Sequence, residues 1–199
     1  MANILILYYS RNGSTLELAR QVCRGVESVA GASALLRTVP PVTSAVQPPI
    51  EAVPAEGPPY VTPEEWASAD GIALGSPTRF GTMAAPMKYF LDGTSASWVS
   101  GALVGRPGGV FTSTSTPHGG HEATLLSLIV PLLHHGMLIV GIPFTDASLS
   151  RTHGGGPYGA GVVTNGQAPA LGEHEKHLAQ VLGRRIATAA LRLHGEPRV

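Results

Sequence analysis

The chain has 199 residues, enough for one well-buried α/β core and short for two ordinary domains, so a single domain is expected. Formal net charge is zero and the basic residues are scattered without a run, which argues against a nucleic-acid partner. The one cysteine, Cys23, excludes an intrachain disulfide and a thiolate zinc site, and no apolar run reaches the roughly 20 residues that span a bilayer, so a cytoplasmic protein without membrane insertion is expected.

The segment ANILILYY (2–9) is apolar on both faces and suits a strand covered on each side. It breaks at SRNGST (10–15) and continues as a helix carrying Leu16, Ala19, Val22, Cys23 and Val26, expected to stop at Gly31. Cys23 reads as a small core residue. SALLRTV (33–39) is a less regular second strand. Residues 40–61 are rich in proline and alanine and lack periodicity, which suits a surface excursion within the domain.

Thr62-Pro63-Glu64-Glu65 then has a capping hydroxyl, a first-turn proline and a glutamate at the third helical position, the pattern of a helix start. DGIALGS (70–76), GGVFTS (108–113) and MLIVGI (137–142) are the third, fourth and fifth strands. EATLLSLIVPLLHHG (122–136) is almost uniformly apolar and predicts a buried helix that kinks or restarts at Pro131. EHEKHLAQVLGRRIATAALRLHG (173–195) predicts a long amphipathic helix. This alternation indicates a doubly wound α/β fold of flavodoxin-like size: three layers, with a five-stranded parallel sheet in the order 2-1-3-4-5.

In such a sheet, ligands sit beyond the carboxyl ends of the strands where the order reverses, here between the first and third strands. The turn after the first strand also opens a helix, whose free amides favour an anion. Ser10, Asn12, Ser14 and Thr15 add neutral donors, and Gly13 lets the backbone come close. The turn has neither the lysine of a GxxxxGK[ST] loop nor the glycines of GxGxxG, so it suits a terminal phosphate monoester. Phosphatases and phospho-acceptor domains on this sheet need carboxylates at strand ends; here those ends read Tyr9-Ser10 and Gly75-Ser76.

The third strand is followed by Thr78, Arg79 and Phe80, which offer backbone donors, a cation and an aromatic face to a flat heterocycle. A reduced flavin is negative near N1, a charge that such a turn stabilises. The fourth strand leads into TSTSTPHGGHEAT (112–124), again hydroxyls and glycines with no carboxylate before Glu122. His118 and His121 form an HxxH in a glycine-containing loop with no paired carboxylate nearby, so no metal site is expected.

The segments YYSRNGSTLELA, GSPTRFGTMAAPMKYFLDGT, WVSGALVGRPGGVFTSTSTPHGGHEATLLS, LLHHGM and GGGPYGAG, in this order, resemble the WrbA-type NAD(P)H:quinone oxidoreductases, flavodoxin-like proteins that bind FMN noncovalently. The resemblance implies that Ser10, Arg11, Asn12, Gly13, Ser14 and Thr15 bind the FMN phosphate. It places Thr78, Arg79 and Phe80 along the isoalloxazine, with Ser113, Thr114, Ser115, Thr116 and Gly119 completing the pocket.

His134 would approach the flavin from a neighbouring subunit, and Trp98 would close the site over the quinone. Asn12 stands where the family often has a tyrosine that contacts the nicotinamide. The implied assembly is a homotetramer, which agrees with a charged fraction of 13%, against about 25% in ordinary soluble domains.

The implied activity is ping-pong, two-electron transfer from NADH or NADPH to a quinone. The rival readings are a flavodoxin-type one-electron carrier, an FMN-dependent azo or nitro reductase, and an interaction protein that has kept the fold without turnover. Carriers are usually strongly acidic around the flavin, unlike these turns.

Overall fold

In the computed structural model, the described residues are 1–43, 53–166 and 171–193. Strand β1 (Ala2–Tyr8) pairs in parallel with β2 (Ala32–Thr38) on one side and β3 (Gly71–Pro77) on the other, and β4 (Pro107–Thr114) lies beyond β3. The order 2-1-3-4 is thus the expected one. Alternation along β1 sends Ile4, Ile6 and Tyr8 into a core under helices α1 (Ser14–Glu27) and α6 (Glu173–Leu193). Leu5 and Leu7 face the opposite core, with Trp66 of α2 (Pro63–Ser68), Met87 of α3 (Ala85–Asp92) and Leu125, Leu128 and Leu132 of α5 (His121–His134). Both sheet faces are therefore dry, which is why the strands read as unbroken apolar runs.

The fifth sheet position differs from the expectation. Only Leu138–Ile139 of the predicted strand enters the sheet, as β5 beside Pro107 and Gly108. Val140 adds one bond, its N–H to Gly108 O at 2.7 Å, before the chain turns away through Pro143, which has no N–H to donate. It returns by a 3-10 turn (Ala147–Ser150) and the short hairpin of β6 (Gly155–Gly156) and β7 (Gly159–Val163). Strand β7 pairs with the carboxyl half of β4, so two separate segments share the fifth position.

Two helix expectations are modified, and one helix is new. Helix α1 ends at Glu27, and Gly31, at φ 86°, serves the turn into β2. Helix α5 runs through Pro131 without interruption and is buried on one side only, since no described element of the chain covers Leu126, Val130 and Leu133. A short helix α4 (Ser95–Val99) follows α3.

The capping box of α2 forms as expected: Thr62 Oγ1 accepts from Glu65 N–H at 3.2 Å, and Thr62 N–H donates to Glu65 Oε2 at 3.1 Å. Residues 44–52 of the proline-rich excursion lie outside the described residues. Its end returns beside β2, where Thr38 N–H donates to Pro59 O and Val61 N–H to Thr38 O. Among the described residues, no helix is long and apolar enough to cross a membrane.

Candidate functional site

The turn after β1 is built around Gly13, which caps α1 at φ 87°, a conformation that a side chain would strain. The hydroxyl of Ser10 accepts from Gly13 N–H at 3.1 Å, closing the turn. No side chain caps α1, so the amides of its first turn face the cleft, where an anion would meet both free N–H groups and the positive end of the helix. Thr15, in that first turn, is buried and meets Ser113 of β4, hydroxyl to hydroxyl, at 2.9 Å.

The turn after β3 is tied to the others at two points. Thr78 N–H donates to Ser113 O at 2.9 Å, and Thr78 Oγ1 donates to Gly119 O at 3.1 Å. Beyond it, Arg79 and Thr82 exchange backbone bonds, Arg79 N–H to Thr82 O and Thr82 N–H to Arg79 O. The two residues between them, Phe80 at φ 52° and Gly81 at φ 81°, are both left-handed. A glycine suits that conformation; a phenylalanine there is strained by about 1–3 kcal/mol. The Phe80 ring stands fully exposed, so packing within the chain does not explain the strain.

In the turn after β4, Thr114 Oγ1 donates to Thr116 O at 3.0 Å and Gly119 N–H to the same carbonyl at 3.1 Å. Gly120, at φ 86°, caps α5 and lies so near Gly81 that a Cβ would come within 2.7 Å of the Gly81 Cα. These contacts draw the three turns into one cleft lined by Ser10, Arg11, Asn12, Ser14, Thr15, Pro77, Thr78, Arg79, Ser113, Thr114, Ser115 and Thr164.

No aspartate or glutamate lines that cleft, whereas Arg11 and Arg79 do. Arg79 donates from Nη1 to Thr78 O at 2.8 Å, and among the described residues neither arginine is in an ion pair. Gly13, Phe80, Thr116 and Gly119 stand in the same turns, outside the lining. Thr164 was not anticipated: it follows β7 and ties the cleft wall to β4 through its N–H to Thr114 O at 2.9 Å. Its signal in sequence was weak, a hydroxyl after the short GAGVV run.

Two expected site residues lie elsewhere in the same chain. His134 ends α5, about 20 Å along the helix from the cleft side. With Trp98 of α4 it lines a separate groove against α3, so the structure brings these two together and away from the turns. The adjacent His135 points inward, its Nε2 at 2.9 Å from Thr94 Oγ1, and burial lowers its pKa. Cys23 on α1 is half-buried, with its thiol pushed up to about 12 by burial and the neighbouring Glu27, which leaves it unreactive at neutral pH.

Residues 3–146 match the family model described as NADPH-dependent FMN reductase. The chain is 43% identical to an NAD(P)H dehydrogenase (quinone) of Solidesulfovibrio magneticus, over 96% of this chain and 98% of that protein. It is 44% identical to another of Geobacter sulfurreducens, over 97% and 100%. A flavodoxin, WrbA-like protein of Agrobacterium tumefaciens shares the fold at a TM-score of 0.64 and 24% identity, over 96% of this chain and 99% of that one. Flavodoxin 1 of Bacillus cereus does so at 0.60 and 15%, over 94% and 98%. The chain therefore belongs to the NADPH-dependent FMN reductase family and groups there with the NAD(P)H dehydrogenases (quinone), the kinship its motifs imply.

Proposed function

We propose that the protein is an FMN-dependent NAD(P)H:quinone oxidoreductase, acting as a homotetramer and reducing quinones to hydroquinones in ping-pong order. The observation that carries this reading is the cleft itself: three turns at the β1/β3 switch point, rich in hydroxyls and free amides, with two arginines and no carboxylate. That donor set fits FMN. The uncapped first turn of α1, with Ser10, Ser14 and Thr15, suits the phosphate, and the turns at Thr78–Phe80 and Ser113–Thr116, with Gly119, suit the ring. Bound there, FMN would supply the redox chemistry, two-electron transfer from NADH or NADPH to the quinone, with the second proton of the hydroquinone drawn from solvent.

The chain's own part is placement and electrostatics. The amides and hydroxyls would orient the mononucleotide, and Arg79, which lines the cleft, would supply a cation to offset the charge gained on reduction. Phe80 holds an exposed aromatic face at the rim. His134 and Trp98 complete the site from a neighbouring subunit in this reading. Support for that comes from their shared groove and from the exposed apolar residues Trp98, Val99, Leu126, Val130 and Leu133 around it.

Steady-state oxidation of NADH and of NADPH with benzoquinone, on FMN-supplemented protein, tests the proposal. Parallel double-reciprocal lines are expected as the quinone is varied. Intersecting lines contradict the ping-pong order, and absence of turnover in protein that retains FMN favours a one-electron carrier.

A further inference from the structure

The first residue of α5, His121, is used by neither the cleft lining nor the chemistry above, yet it is nearly buried between the third turn and the β6–β7 hairpin. Its Nε2 accepts from Gly155 N–H at 2.7 Å. Its Nδ1 lies 3.4 Å from Thr114 Oγ1, a long contact, and that hydroxyl already donates to Thr116 O at 3.0 Å. The proton positions follow from this pattern. An Nε2 that accepts a hydrogen bond carries no proton, so the neutral ring has its proton on Nδ1. Thr114 Oγ1, its own proton committed to Thr116, has lone pairs to receive it.

The bonds thus run in one direction, from Gly155 N–H to imidazole, from imidazole to Thr114 hydroxyl, and from that hydroxyl to the carbonyl of Thr116. We propose that His121 is a positioning residue that clamps the Thr114–Thr116 turn of the cofactor cleft to the β6–β7 hairpin, acting as a neutral imidazole of the Nδ1–H tautomer.

Three further observations support this. Room for the ring exists only because residue 161 is glycine: a Cβ there would lie 2.1 Å from His121 Nε2. The segment that leads into Gly155 is held by Glu175 of α6. The Glu175 carboxylate accepts from Thr152 Oγ1 at 2.7 Å and from His153 N–H at 3.3 Å, so His121 clamps against a fixed support. Burial pushes the imidazole down to about 4, which keeps it neutral at physiological pH. His118, Glu122 and His153 border the same recess, and none of them makes either of these bonds.

The inference rests on the flavin reading for its purpose, but the clamp itself can be tested without it. Nitrogen-15 spectra of the full-length wild-type chain should report His121 as the Nδ1–H tautomer, and Gly155 N–H should be protected from exchange. His121→Leu should lose that protection and raise the FMN dissociation constant about tenfold, the cost of one unmade buried bond. His121→Gln, whose amide oxygen can accept from Gly155 without titrating, should restore both.

An Nε2–H tautomer in wild type, Leu and wild-type proteins of equal FMN affinity, or a Gln variant no better than Leu overturns the inference. Should wild type take up no FMN, the flavin reading falls, while the tautomer and Gly155 exchange still decide whether the clamp exists.

Discussion

Thr15 and Ser113, 98 residues apart in sequence, meet hydroxyl to hydroxyl at 2.9 Å. One stands in the first turn of α1 and the other near the end of β4, with β3 between them in the sheet. This single bond spans the crevice that the switch in strand order opens, and it sets the width between the first turn and the third. Thr15→Val keeps the volume and removes the hydroxyl, leaving Ser113 without this partner. Stability should fall by about 1–3 kcal/mol, the cost of an unsatisfied buried group, and FMN should bind more weakly. Urea denaturation and a fluorescence titration read the two effects; no change in either means the bond does not shape the cleft.

Phe80 occupies a left-handed position beside Gly81 and buries nothing within the chain. Asparagine tolerates that conformation far better. Phe80→Asn should therefore leave the protein as stable or more stable by about 1 kcal/mol, while turnover with quinone declines. Thermal melts and steady-state rates on the same preparation check this. A destabilised variant with full activity would place the value of the ring in folding.

Acid should weaken the fold in two separate windows. His121 is held at about 4 by burial, against about 6.5 in an unfolded chain. Between those values the unfolded form binds a proton that the folded form does not. Stability present in full above about pH 6.5 is lost as pH falls toward about 4, by roughly 3 kcal/mol in all.

Glu65 behaves as a paired carboxylate. Its bonds to Arg37 hold its pKa down, so its contribution persists above the ordinary carboxylate range and is lost only at lower pH. Urea midpoints measured across this range should show the upper loss flattened in His121→Gln and retained in wild type. An identical slope in both proteins rules out His121 as its source.

The exposed side of α5 predicts the assembly. Leu133 stands on that face, next to His134 in sequence and remote from the cleft of its own chain. Leu133→Glu should dissociate the proposed tetramer, as read by analytical ultracentrifugation. It should also abolish most quinone reductase activity with FMN affinity falling less, because the cleft turns remain intact. A fully active monomer contradicts the placement of His134 and Trp98 in a neighbour's site.

Much of this was legible in the sequence, for local reasons. The β1 run, the hydroxyl-rich turn and the start of α1 are adjacent in the chain, and the Thr62 capping box needs only four residues. The turns after β3 and β4 carry their chemistry within a few positions of the strand. What escaped detection depends on distant partners. GAGVV is too short and glycine-rich to announce a strand, and it becomes β7 only because β4 offers an open edge above the two residues of β5.

Pro131 carries a helix-breaking propensity, yet α5 continues because Leu128 and Leu132 are packed on either side of it. His121 sits in a loop-like HxxH, and its role exists only once Gly155 and Gly161 are folded against it. The strain at Phe80 likewise has no signature in propensity; Gly81 marks a turn and does not say which residue shares its left-handed conformation.

The proposed activity depends on a carboxylate-free cleft gripping FMN through uncharged donors and two arginines. Equilibrium dialysis of the folded, full-length chain against FMN measures that directly. One FMN per chain, bound in the micromolar range or tighter and weakened by Thr15→Val, is the predicted result. No uptake by protein with a native circular dichroism spectrum contradicts the cofactor, the cleft assignment and the activity together.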